Sequence, residues 1–198
     1  MAVEFKDTDF MTIEEKKPQT GWPLEHTSTK GLWPYLKRTP GELRGIEIGT
    51  SCAESTYLLL EKCPNITHLI TIDPYQQFED WIGTITQEIL DKQKDIARRN
   101  LEGFGDRVER WIMTSDEAAK KFEPESMDFI FVDGDHSYEG VKKDCHVYYP
   151  FLKKGGFFCG HDYSFLPEVK KGVDDFRKEA GITAPLNLSV NSAFFWYK

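Results

Sequence analysis

Two short apolar runs in this chain each stop at a group of ionisable residues. Phe129-Ile130-Phe131-Val132 runs into Asp133-Gly134-Asp135-His136, and Gly155-Gly156-Phe157-Phe158-Cys159-Gly160 runs into His161-Asp162-Tyr163. Runs of this length and composition read as buried strands. In a parallel α/β sheet, residues that come after such strands collect at the carboxyl edge, where ligands bind. Carboxylates and imidazoles gathered there can move protons at a bound ligand or hold a divalent cation. His136 lies close enough to Asp133 in the chain to reach the same ligand. His161 and Asp162 are adjacent, so both can face one ion only if the strand has ended, and Gly160 is expected to make that turn.

The elements that must carry these residues alternate. Strands are predicted over Leu43–Ile48, Thr67–Ile72, Val108–Met113, Asp128–Val132 and Gly156–Gly160. Helices are predicted over Glu54–Lys62, Asp116–Phe122, Tyr138–Phe151 and Pro167–Ala180, with one long helical stretch over Gln76–Leu101 that Gly83 can interrupt. Leu186–Val190 and Ala193–Tyr197 read as a closing hairpin around Asn191-Ser192. This alternation predicts a Rossmann-like, doubly wound, mostly parallel α/β sheet of seven strands, ending in a C-terminal antiparallel hairpin. Residues 1–20 are polar and aperiodic and read as a flexible tail. Residues 21–198 read as one domain, with 21–40 an apolar arm or cap carrying Trp22, Leu24, Leu32 and Trp33. That arm can pack on its own domain or on a second copy, so a homo-oligomer is among the expected states.

A chain of 198 residues suits a single domain, and a net charge of −8 argues against nucleic acid and anionic membranes as partners. No apolar run approaches ~20 residues, so no membrane span is expected. Lys6, Asp7 and Asp9 interrupt what would be the apolar core of a secretory signal. The four cysteines lack metal-type spacing and read as free thiols, which places the protein in the cytoplasm.

The segment Gly45-Ile46-Glu47-Ile48-Gly49-Thr50-Ser51-Cys52-Ala53-Glu54-Ser55-Thr56 is strand, tight turn and helix start. Gly49 lets the backbone pass close to a ligand, while Ser51, Ser55 and Thr56 can donate hydrogen bonds or cap the helix. Asp73 ends the next strand at a spacing suited to a carboxylate that accepts ribose hydroxyls, although Pro74 after it equally suits a helix cap. There is no G-x-G-x-x-G and no phosphate-loop lysine. A ligand with a ribose and no phosphate, such as S-adenosylmethionine, fits better than NAD or ATP.

Glu47-x-Gly49, the strand end Ile72-Asp73, Asp133 and Gly155-Gly156 together resemble class I S-adenosylmethionine-dependent methyltransferases, from about Leu43 to the C-terminus. Asp133-Gly134-Asp135-His136-Ser137-Tyr138 with Gly160-His161-Asp162-Tyr163 resembles the branch related to macrolide-sugar and catechol-type metal-dependent O-methyltransferases. The resemblance implies that Glu47, Gly49, Thr50, Ser51 and Ser55 line the methionine end of the cofactor and that Asp73 holds its ribose. It places Thr114-Ser115-Asp116, and Ser115 in particular, beside the adenine. It implies metal ligation by Asp133, His161 and Asp162, and makes His136 the base, with Asp133 also facing cofactor and reaction. Cys52-Ala53 stand where glycines are usual in that family, and His161 stands where an acidic residue is usual.

The expected activity is therefore transfer of a methyl group from S-adenosylmethionine to a hydroxyl of a small molecule, a sugar or a phenol, with Mg²⁺ or Mn²⁺ assisting. Other readings remain beside it. His136 also suits a helix cap, His161 and Asp162 could hold an acceptor without metal, and Asp135 can tie down its own loop or serve as a second-choice ligand. Trp22, Trp33, Tyr75, Phe78 and Trp81 can wall an acceptor pocket or serve as core. His26, His68 and His146 read as ordinary surface or core residues. A metal-dependent hydrolase and a non-catalytic S-adenosylmethionine-binding protein are the alternative functions.

Overall fold

The computed structural model describes residues 28–80 and 83–198. The predicted tail, Trp22 and Leu24 of the arm, His26 and Trp81 lie outside the described residues. The strands are β1 (Leu43–Ile48), β2 (Ile66–Ile72), β3 (Phe78–Asp80), β4 (Gly83–Ile85), β5 (Val108–Trp111), β6 (Met127–Val132), β7 (Leu152–Gly160), β8 (Asn187–Leu188) and β9 (Phe194–Tyr197). The helices are α1 (Trp33–Arg38), α2 (Glu54–Lys62), α3 (Gln87–Leu101), α4 (Ser115–Ala119), α5 (Tyr138–Tyr148) and α6 (Pro167–Glu179).

Seven strands form one sheet in the order β5-β2-β1-β6-β7-β9-β8. β5, β2, β1, β6 and β7 are parallel, β9 is antiparallel to β7, and β8 pairs antiparallel with β9. The expected doubly wound sheet and terminal hairpin are both present. β1 lies between β2 and β6, so the strand order reverses there, and such a switch point opens a crevice at the carboxyl ends.

Period-two alternation divides the core between the two faces of the sheet. Leu43, Leu69, Phe129, Phe131, Phe157 and Phe195 pack with residues of α1, α2 and α3. Ile46, Ile48, Ile70, Ile72, Ile130 and Trp196 pack with α4, α5 and α6. Each fully buried side chain of this size contributes about 1.5–3 kcal/mol, so strands buried on both faces are anchored firmly and hold their ends in place. Leu32 and Leu36 are fully buried in the first of these clusters, so the described part of the arm packs on its own domain.

One expectation is corrected. Gln76–Leu101 is not one interrupted helix, because β3 and β4 form a separate antiparallel hairpin ahead of α3. Gly83 has φ +112, which an L-residue rarely adopts, and Thr84 and Ile85 favour extended backbone. The helix begins only where Thr86 caps it by accepting from the Ile89 amide.

Candidate functional site

A cavity of about 490 Å³ opens at the carboxyl ends of β1, β2 and β6, and its lining includes Gly49, Ser51, Asp73, Ser115, Asp133 and His136. The turn after β1 forms one wall. Gly49 has φ +90, and a Cβ at this position would fall 2.0 Å from the Asp133 carbonyl oxygen, so only glycine fits between the two strand ends. Ser51 and Ala53 also take left-handed backbone, at φ +47 and +63. The positions that favour glycine in this turn are therefore 49, 51 and 53. Cys52 is not among them, although the sequence suggested Cys52-Ala53. Its carbonyl instead accepts Asn100 Nδ2 at 2.7 Å.

Asp73 supports that turn from below. Its Oδ2 accepts the amides of Thr50 (3.1 Å) and Ser51 (3.0 Å), and its Oδ1 accepts that of Tyr75 (2.8 Å). The Tyr75 hydroxyl closes the ring by donating to the Ser51 carbonyl at 2.7 Å. Burial raises the Asp73 pKa, and the three amides only partly offset it. A carboxylate has about four acceptor positions, so Asp73 keeps capacity for a ribose hydroxyl while it lines the cavity.

Three sequence candidates lie behind this wall, outside the cavity lining. Glu47 points into the core, where Thr56 Oγ1 donates to its Oε2, and it is wholly buried. Burial pushes its pKa up to about 8 against the pull of the nearby Thr56 and Thr71 hydroxyls. The Thr50 hydroxyl is 2.5 Å from that of Thr71. Ser55 sits in the first turn of α2, and its carbonyl accepts the Thr29 hydroxyl at 3.3 Å. Glu54, read in the sequence only as a helix start, is a further carboxyl near Asp133. Burial pushes it up to about 7, and Asp133 acts in the same direction.

At the other end of the cavity, Thr114 caps α4 in a reciprocal box with Glu117. Ser115 Oγ donates to Asp144 Oδ1 at 2.8 Å, and the Tyr148 hydroxyl donates to the Ser115 carbonyl at 2.7 Å. Asp116 turns outward to Lys143 at 2.8 Å. Asp144 lines the cavity yet is only 4% exposed, and burial pushes its pKa up to about 6. It was not a sequence candidate. The available signal was helical spacing, because Asp144 falls on the same face of α5 as Val141 and Tyr148, where an apolar residue belongs.

The remaining residues meet past β6 and β7. Val132 pairs with Gly160, which brings Asp133, His136, His161 and Asp162 to one place. His136 Nε2 is 3.1 Å from Asp162 Oδ2 and 3.9 Å from Asp133 Oδ1. His161 Nδ1 is 3.1 Å from Asp162 Oδ1 and 3.8 Å from Asp133 Oδ1. Asp162 thus lies between two imidazoles. Burial opposes its ionisation, but the hydrogen bonds from His136 and His161 outweigh burial and hold the carboxyl well below the usual range. His161 is raised, because the Asp162 hydrogen bond and the charges of Asp133 and Asp162 overcome its burial. The turn falls at Asp162, with φ +62, and not at Gly160. Gly160 is needed for another reason: a Cβ there would lie 2.4 Å from the Phe194 ring.

Asp133, His136 and Asp162 each offer one ligand atom, and these atoms lie within 4.8 Å of one another. This is the one such group among the described residues, and it contains His136 where the resemblance implied His161. His161 touches the same carboxylates through Nδ1, and a hydrogen bond to the Asn191 backbone adds to the stabilisation of its charged form. Two carboxylates and an imidazole fit Mn²⁺, Fe²⁺ or Zn²⁺ as well as Mg²⁺. Asp135 accepts the Ser137 amide at 2.8 Å and so ties its own loop. His68 and His146 pair at the surface with Glu109 (3.2 Å) and Glu179 (3.0 Å). Trp33 packs on the core, whereas Phe78 lines the cavity.

Residues 46–163 match a family model described as a methyltransferase domain. The chain belongs to this family. The match runs from within β1 to the residue after Asp162 and so includes both ends of the cavity. An uncharacterised protein of Acanthamoeba polyphaga mimivirus is 29% identical to this methyltransferase-family chain over 160 residues, or 75% of this chain and 66% of that protein. The chain therefore spans just under two thirds of that relative's length. Among solved structures, the O-methyltransferase NovP aligns over 88% of this chain and 78% of its own, with TM-score 0.59 and 19% identity. Spermidine synthase from Thermotoga maritima aligns over 88% of this chain and 59% of its own, with TM-score 0.59 and 17% identity. These likenesses are of fold. The fold is the Rossmann-like one of class I S-adenosylmethionine-dependent methyltransferases, and the family implies that cofactor. The close passage at Gly49 and the spare acceptor capacity of Asp73 fit it. Among the described residues, no helix is long and apolar enough to cross a membrane.

Proposed function

We propose that this protein transfers a methyl group from S-adenosylmethionine to a hydroxyl oxygen of a small neutral molecule, with a divalent cation assisting. The observation that carries this reading is the convergence of Asp133, His136 and Asp162, of which Asp133 and His136 line a cavity that also holds Asp73 and Ser115. The sulfonium supplies an electrophilic methyl, and the cation would supply Lewis acidity and a fixed position for the acceptor oxygen. Asp133 and Asp162 would hold that cation, and His136 beside them would serve as the base.

The residues do the rest. His136, beside Asp162, accepts the hydroxyl proton, an effect typically worth about 10²–10⁴-fold. Asp162 sets the orientation of the His136 ring and stabilises its protonated form. The walls of the cavity hold cofactor and acceptor in line, which can supply roughly 7–11 kcal/mol. Among the described lining residues there are four aspartates and no lysine or arginine. This favours a cationic cofactor and a neutral acceptor, such as a sugar or phenol, over a phosphorylated one. The four buried free cysteines support placement in the cytoplasm.

The first test is calorimetric titration of metal-stripped protein with S-adenosylmethionine, repeated with Mg²⁺ or Mn²⁺, and then a screen of hydroxylated acceptors. One-to-one binding and metal-dependent turnover are expected. Absence of binding under both conditions would remove the reading. The left-handed Ser51 and Ala53 favour a second reading, a cofactor-binding protein without turnover. Tight cofactor binding with no bound metal and no product from any acceptor would establish it.

A further inference from the structure

The short turn Val190–Ser192, between β8 and β9, reaches back to the loop that carries His161 and Asp162. Three successive amides of that loop end on Ser192. Its carbonyl accepts the Tyr163 amide at 3.1 Å, and its Oγ accepts the amides of Ser164 (2.5 Å) and Phe165 (3.1 Å). The Asp162 carbonyl in turn accepts the amides of Phe165 (3.1 Å) and Leu166 (2.9 Å), so the loop closes tightly just past the carboxylate. His161 has a hydrogen bond to the backbone of Asn191, the neighbour of Ser192. Ser192 is only 7% exposed, although Ser164 and Phe165 both face solvent.

Backbone conformation points the same way. Asp162, Asn191 and Ser192 take left-handed φ of +62, +56 and +64. Strain of this kind persists only where the surroundings over-determine it. A glycine at position 192 would meet the backbone demand without strain, but it has no hydroxyl to accept two amides. We infer that Ser192 is a positioning residue: its hydroxyl holds the loop after β7 so that the Asp162 carboxylate stays between His136 and His161. What the held carboxylate then does, binding a cation, rests on the proposed function.

The test compares Ser192→Gly with Ser189→Ala in the full, metal-stripped chain. Ser189 immediately precedes the same turn, but its hydroxyl donates to the Gly31 carbonyl at 2.9 Å. The first readout is the ring-nitrogen NMR signals of His136 and His161 at a single pH. Ser192→Gly should move both, and Ser189→Ala should leave both in place. The second readout is calorimetric titration. Ser192→Gly should bind Mn²⁺ about 10–100-fold more weakly, with S-adenosylhomocysteine affinity within about threefold of wild type. Wild-type ring signals in a folded Ser192→Gly, or equal shifts in Ser189→Ala, would overturn the inference. If Ser192→Gly does not fold, hydrogen exchange in wild type decides. Slow exchange of the Ser164 and Phe165 amides is expected, and exchange at the rate of an open loop would overturn the inference. A wild type that binds no Mn²⁺ would remove the metal from the proposed function, and the ring signals would still decide the role of Ser192.

Discussion

The two ends of the candidate site treat their carboxyl groups differently. At the end built on β1 and β2, the acidic groups are engaged by the protein itself: Asp73 accepts three backbone amides, and Glu47 is buried under α2 beside Thr56. At the end built on β6 and β7, Asp133 and Asp162 face two imidazoles and one another, and no backbone amide claims the Asp162 carboxylate in the bonds described. The first end uses its carboxyl groups to shape the turn after β1. The second leaves its carboxylates facing imidazole side chains. The two therefore ought to fail in different ways when altered.

The largest effect is expected at the β6–β7 end. His136→Asn or Asp162→Ala should lower turnover by about 10²–10⁴-fold while cofactor affinity stays within severalfold of wild type. Single-turnover kinetics beside calorimetry separate the two quantities. A parallel collapse of cofactor affinity would erase the distinction between the ends.

Gly49→Ala attacks the other end. Its Cβ would meet the Asp133 carbonyl at 2.0 Å, and its φ of +90 disfavours any side chain. A loss of about 2–4 kcal/mol in denaturant unfolding is expected, together with weakened cofactor binding.

Glu47 sharpens the comparison through pH. Its folded pKa of about 8 lies above the ordinary 4.5, so the native state holds a proton that the unfolded state releases. Stability from this group should fall as pH rises from about 4.5 through about 8. Glu47→Gln should flatten that slope and be more stable than wild type above pH 8 by roughly 1–3 kcal/mol, measured by unfolding at pH 5 and pH 9. An unchanged slope would mean that Glu47 is ionised in the fold.

The smallest effect belongs to Ala53→Gly. Relief of left-handed backbone at φ +63 offsets the greater flexibility of the unfolded glycine chain. The change should stay within about 1 kcal/mol of zero in thermal unfolding. A large loss would show that the Ala53 methyl, fully buried in the core, matters more than its backbone.

Much of this was legible before the structure. Asp128–Val132 and Gly156–Gly160 read as buried strands, and pairing them brings Asp133 and Asp162 together. Other features were not legible. The β3–β4 hairpin hid inside a stretch of good helix formers, because Gly83 signals a break in a helix and does not by itself specify a paired strand on each side. Glu47 reads as a site residue by its place near Gly49, yet odd positions of β1 face α2 and the core. Asp144 was hidden as one polar residue on a helix face.

The sequence by itself determined which segments are buried strands, and hence which acidic residues and histidines reach the carboxyl edge. Apolar runs and period-two alternation are local properties of the chain. Only the tertiary structure decided how those groups are used: Asp73 as a clasp for the turn, Asp162 between His136 and His161, and Asp144 behind Ser115. Hydrogen-bond partners and burial depend on atoms brought close from distant parts of the chain, and no local pattern encodes those distances.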